Sequence, residues 1–108
     1  AHVFTLLPDG EVDFCNLRTL EFSGGTLDDF RQWRWTKNGI VHPEDVPELL
    51  EAMSAATSFR HLSETEARLR RFDGQYRWFR VGFAPLMDEP IRWCGTSIDI
   101  DELKEAEA

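Results

Sequence analysis

The sequence predicts an α+β domain: an antiparallel sheet covered by a central run of helices. Three observations predict it. Residues 64–84 alternate in period two on both sides of Asp73-Gly74, the pattern of one long β-hairpin. Pro8-Asp9-Gly10 divides a second pair of strand-like runs at the start of the chain. Between the hairpins, apolar residues recur at helical spacing, and a further strand-like run follows them.

In order, HVFTLL reads as a strand, Pro8-Asp9-Gly10 as a turn and EVDFC as a strand with Val12 and Phe14 set against charges. Asn16 suits the N-cap of a short helix over 17–22, which Ser23-Gly24-Gly25 stops. Thr26 caps a second helical segment, TLDDFRQWRW, with Leu27, Phe30 and Trp33 or Arg34 on one face and Asn38-Gly39 at its end. Pro43 with Glu44 and Asp45 opens the longest helix, to about residue 58, with Val46, Leu49, Leu50 and Met53 as its buried stripe. Pro47 is tolerated there because it lies in the first turn.

In the long hairpin, Glu66, Arg68 and Arg70 share one face and Ala67, Leu69 and Arg71 the other; Phe79, Val81 and Phe83 alternate with Trp78, Arg80 and Gly82 on the return strand. Residues 87–90 make a tight connection to a fifth strand over 91–100. DELKEAEA then has helical propensity but only Leu103 to bury, so it needs a continuation or a second chain to be stable.

A chain of 108 residues supports one core, and its 42% hydrophobic and 12% aromatic content can fill it. No apolar run nears the roughly 20 residues of a membrane span, and no signal-peptide pattern opens the chain. The strand-like start without an initiator Met reads as a piece of something longer. Net charge is −8, and the last ten residues set five acids against Lys104. Such acidity repels nucleic acid, and the arginines crowding the hairpin (Arg60, Arg68, Arg70, Arg71, Arg77, Arg80) read as a solvated sheet surface paired with acids such as Glu64 and Glu66. Cys15 and Cys94 fit neither a disulfide framework nor a metal site, which points to a reduced, cytoplasmic setting.

Four stretches in order, IVHPEDVPELL, ETEARLRRFDGQYRWF, Pro85 and WCGTSIDIDELKEAE, resemble the pattern HPxD, ExRxxxxDGxxRW, P, GTxxDI of PAS domains that end in a PAC motif. PDGEVDFCN also matches the opening of that family, and the resemblance spans nearly the whole chain. The short connection at 87–90 departs from relatives with a longer Gly-rich turn. The resemblance implies a five-stranded antiparallel sheet with helices packed on one face, a PAS domain over residues 1–100 with its PAC motif at about 60–103, and the start of an output helix over 101–108. It further implies a pocket between sheet and helices that in many members holds haem, flavin or an organic acid. Carried onto these residues, Leu69, Phe79, Val81, Phe83, Trp93 and Ser97 face the helices, while Arg68, Arg70, Trp78, Cys94 and Ile98 face outward. Leu69, Phe79 and Phe83 should meet Leu49, Met53 and Phe30.

Each candidate residue has a plainer reading. His42 precedes Pro43 at a helix entrance and reads as a cap, and with no His on the long helix the sequence argues against haem. Cys15 lies on a strand before Asn16, unlike the photoreactive Cys of light-sensing relatives, so no flavin adduct is expected, while non-covalent flavin or a small organic ligand stays open. Trp33, Trp35 and Trp93 can stack on a planar ligand or serve as core aromatics, and Ser97 and Thr65 can bond a ligand or a helix backbone. Asp99, with Ile100 and Asp101, matches the family's exit junction, where Asp99 pairs with an outward arginine such as Arg68.

No Ser-His-Asp set, paired carboxylates or phosphate loop is present, which argues against an enzyme; Gly24-Gly25 lacks the necessary Lys and preceding strand. The expected function is therefore a sensory and dimerisation module of a larger signalling protein, such as a histidine kinase or diguanylate cyclase. Trp78, Cys94 and Ile98 would form a homodimer face, with an output domain in the same full-length chain. The rival is a ligand-free interaction module whose pocket its own aromatics fill.

Overall fold

The computed structural model describes residues 1–86 and 92–108. The connection expected at 87–90, and the first residue of the expected fifth strand, fall outside the described residues. The chain builds β1 (His2–Leu6), β2 (Val12–Cys15), α1 (Leu17–Ser23), 3-10 turns at Leu27–Asp29, Arg31–Thr36 and Pro43–Asp45, then α2 (Val46–Phe59), β3 (Ser63–Arg70), β4 (Tyr76–Leu86), β5 (Arg92–Asp99) and α3 (Asp101–Glu107). The strands form one antiparallel five-stranded sheet in the order β2-β1-β5-β4-β3. Thus β5, last in sequence, lies at the centre between the two hairpins.

Local chemistry fixes the ends of these elements. The Asn16 side chain accepts from the Thr19 amide at 3.1 Å and from the Val3 amide at 3.1 Å, so it caps α1 and anchors that helix to β1. Asp29 accepts from the Thr26 amide at 2.8 Å. His42 caps through Nδ1, which accepts from the Glu44 amide at 3.2 Å, and its ring lies edge-on to Tyr76. Gly74 takes a φ of 90° in the β3–β4 turn, as Asp73-Gly74 predicts.

Two expectations about the helices are corrected. The segment TLDDFRQWRW is not one helix face, because Gln32 and Trp33 adopt left-handed φ values of 56° and 60°. A bulky side chain rarely sits there. The break is held by Glu11, whose carboxylate accepts from the Gln32 amide at 2.8 Å, and by the seating of the Trp33 ring against Gly10. On α2 the buried stripe is Leu49, Ala52, Met53 and Ala56, and Leu50 is exposed. Positions three and four apart keep one face inward, and Leu50 falls about 100° from Leu49.

The core lies between α2 and one sheet face, where Ala67, Phe79, Val81, Phe83 and Trp93 are all buried. Gly95 belongs to the same face. A Cβ there would come within 2.1 Å of the Phe4 ring, so the ring occupies the place of a side chain on β5. Phe4 in turn meets Phe83 edge-on at 6.0 Å.

Candidate functional site

A cavity of about 70 Å³ opens between the sheet and the helices. The sheet contributes Phe4, Leu69, Val81, Phe83 and Ser97, the helical layer Phe22, Phe30, Trp35, Leu49 and Met53. Its wall is almost wholly apolar, with Ser97, Thr19 and His2 as polar groups and Arg70 at another edge. Arg70 was expected on the outer face. At the end of β3 it instead bends to the rim, where its Nη1 would lie 2.8 Å from a Cβ built on Gly39.

Four of the seven pocket candidates, Leu69, Val81, Phe83 and Ser97, line this space. Leu49, Met53 and Phe30 gather there as expected. Trp33 packs over Gly10 instead, Phe79 stacks with the His2 ring at 5.2 Å and meets Phe22 edge-on at 5.0 Å, and Trp93 is buried in the core opposite Leu6. Cys15 joins the lining, and its thiol is pushed up to about 11 by burial and the nearby Asp13 carboxylate. It is a neutral thiol near pH 7, a small hydrophobe rather than a nucleophile. Burial lowers the pKa of His2, which keeps its ring neutral against Phe22 and Phe79.

Size limits the chemistry. An apolar void of roughly 150 Å³ is what a benzene molecule needs. The present cavity is about half of that and admits a molecule of a few heavy atoms. An isoalloxazine or a porphyrin would require α2 and the broken 3-10 segment to move outward.

The second expected site is the junction at the end of β5. Asp99 bonds Arg77, at 2.6 Å from its Nε, and not Arg68. The reason is strand parity. Asp99 lies opposite Phe79 on the helix-facing side, which Arg77 shares, whereas Arg68 projects from the other side. Ile100 is buried and donates its amide to the Trp78 carbonyl at 2.9 Å, while an Asp101 carboxylate oxygen accepts from the Trp78 amide at 3.0 Å. The junction is thus clamped to β4 by main-chain bonds at Trp78 and by the Arg77 side chain. Burial would raise the pKa of Asp99, but the hydrogen bonds from Arg77 and the Asp101 amide, with the nearby Arg77 charge, together outweigh it and hold the carboxyl below the ordinary range.

Arg68 has a different partner. Its Nε and Nη2 each lie 2.9 Å from an Asp45 carboxylate oxygen, and its own amide donates to Asp45 at 2.7 Å. Sequence reasoning missed this pair. The available signal was the co-occurrence of the HPxD and ExR segments, which an alternation pattern alone does not connect.

Of the expected outer-face residues, Ile98 is 58% exposed and Cys94 half-buried. Trp78 is already covered within its own chain, with the Arg68 guanidinium 4.9 Å and the Lys104 ammonium 4.7 Å from its ring centroid. The lone tail helix is therefore held by Lys104, which also bonds Glu66 at 2.6 Å, rather than by Leu103, which stays half exposed. Among the described residues no group of three His, Cys, Asp or Glu side chains is placed to hold a metal, and no helix is long and apolar enough to cross a membrane.

A five-stranded antiparallel sheet with a helical layer over one face and a small apolar space between them defines the class of fold, α+β with its helices on one side of the sheet. The family model for the PAS fold matches residues 12–97, and the chain belongs to that family. It is 31% identical over 114 residues to the peroxide stress-activated histidine kinase mak1 of Schizosaccharomyces pombe, a match covering 98% of this chain and 6% of that kinase. Among solved structures, the PAS-B domain of Drosophila melanogaster Cycle with bound glycerol superposes with a TM-score of 0.72 at 13% identity, covering 92% of this chain and 99% of that one. A domain of a light and redox sensing histidine kinase from Haloarcula marismortui gives 0.70 at 19% identity, covering 92% and 88%.

Proposed function

We propose that this chain is a sensory PAS module within a larger signalling protein of the histidine kinase kind, and that its input is a small apolar molecule of a few heavy atoms. The observation that carries the reading is the apolar cavity of about 70 Å³ set directly beneath α2 and the broken 3-10 segment. Filling it would favour whichever arrangement of those elements fits the guest, and only a difference in affinity between two arrangements makes a signal. The kinase relatives favour a histidine kinase output over a diguanylate cyclase, and the setting in this reading is the cytoplasm. With its acidic balance the module has no use for nucleic acid.

Thermal denaturation with short alkanols of two to four heavy atoms as probes tests this. At tenfold over its Kd a bound probe adds about 1.4 kcal/mol, which in a domain of this size raises Tm by roughly 5–10 °C. Cys15→Met, which pushes extra atoms into the cavity, should abolish the shift. No shift with any probe would sink the sensing reading and favour the ligand-free interaction module, which the small size of the cavity otherwise supports.

The same reading includes pairing through the outer sheet face. Trp78 is taken by Lys104, so the contact would move toward Ile98 and Cys94, beside Thr96, Val3 and the exposed Phe14. Weak self-association is expected by sedimentation, with Ile98→Asp shifting the chain to monomer. A strict monomer at high concentration in the unsubstituted chain would remove pairing from the proposal.

A further inference from the structure

We propose that Arg68 and Trp78 form a side-chain relay that couples the start of α2 to the docking of α3, across the β3 edge and onto the opposite face of the sheet. One end is Asp45, buried immediately before Val46, where it takes three hydrogen bonds from Arg68. Arg68 stands opposite Trp78 in the β3–β4 register, and its guanidinium lies 4.9 Å from the indole centroid. The other end is Lys104 of α3, 4.7 Å from the same centroid. The indole therefore serves two cations, one fixed by the helical layer and one belonging to the exit helix.

The geometry makes the link directional. Asp45 precedes the helix whose Leu49 and Met53 line the cavity, so a displacement of α2 pulls first on the bidentate pair. A planar guanidinium held at both oxygens cannot follow the carboxylate without leaving the ring. Losing that neighbour removes the guanidinium packed against the indole, and an indole free to turn no longer seats Lys104. The clamp on the Trp78 main chain, made by the Ile100 amide and the Asp101 carboxylate, fixes where α3 begins; the relay sets how firmly its next turn lies on the sheet. The relay rests on the sensing role proposed above only for its purpose, since the coupling exists without any ligand.

Amide exchange in the ligand-free 108-residue chain, followed by NMR at Lys104 to Glu107, tests the coupling apart from sensing. These amides open locally and report α3 docking, while those of β5 report global opening. Trp78→Leu should speed α3 exchange about tenfold, the scale of two exposed cation–π contacts. Asp45→Asn and the milder Arg68→Lys should each speed it severalfold, although among the described residues the side-chain bonds of this pair run to each other and to Glu44, with none to α3. In the Trp78→Leu background both should have no further effect. Unchanged α3 exchange in Asp45→Asn and Arg68→Lys would overturn the relay. Effects that persist in the Trp78→Leu background, or an equal rise at β5 in both variants, would also overturn it.

Discussion

Phe83→Ala is expected to cost about 3–5 kcal/mol in chemical denaturation, the range for deleting a buried aromatic. Phe83 is 1% exposed and packs edge-on against Phe4. It also borders the cavity, which separates two outcomes. In a spacious pocket the truncation would remove few contacts and cost little. In a space of about 70 Å³ the ring has neighbours on nearly every side, so the cost should approach the full value. The variant should then gain a void of phenyl shape continuous with the existing one, and benzene should restore part of the lost stability. A loss below about 1 kcal/mol, or the absence of any recovery with benzene, would show that the cavity collapses or was open from the start.

Much of this arrangement is legible in the sequence, and the remainder fails for identifiable reasons. The Asp-Gly turns, the alternation of Phe79, Val81 and Phe83, and the Asn16 cap depend on neighbours a few residues away, which a linear reading captures. The left-handed break at Gln32 and Trp33 depends on Glu11 and Gly10, about twenty residues earlier in the chain, and no local signal marks it. Gly95 looks like a flexible position, but the Phe4 ring requires it, and β1 meets β5 only once the sheet order is known. The Asp99 partner shows the same limit. Alternation says which face a residue occupies, but Asp99 was assigned to an outward arginine, although its parity with Ser97 placed it inward beside Arg77. The faces of the cavity were likewise readable and its volume was not, because volume depends on how closely α2 approaches the sheet.

Asp45→Asn is expected to destabilise the domain by roughly 2–3 kcal/mol near neutral pH, at the scale of lost hydrogen bonds to a charged group, with Glu44 still 3.1 Å from the Arg68 Nη2. The lower end is favoured because the Arg68 side chain remains 26% exposed and can be partly rehydrated. The pH dependence is more diagnostic. Burial would raise the pKa of Asp45, but the side-chain and backbone hydrogen bonds from Arg68 outweigh it and leave the folded value below the ordinary 3.8. A carboxylate depressed in the folded state binds fewer protons there than in the unfolded chain, so its contribution is full above the unfolded pKa and fades as pH falls through the folded one. The stability gap between the unsubstituted chain and Asp45→Asn should therefore be constant from pH 7 to about 5 and narrow below about pH 4. Asp73, Asp99 and Glu66 are depressed by Arg71, Arg77 and Lys104 and steepen the acid limb of both proteins alike, so the difference isolates Asp45. Urea titrations across that range measure it. A gap that stays constant down to pH 3 would mean that Asp45 is equally acidic in the unfolded chain, and that its three bonds to Arg68 position the helix entrance without stabilising the charge.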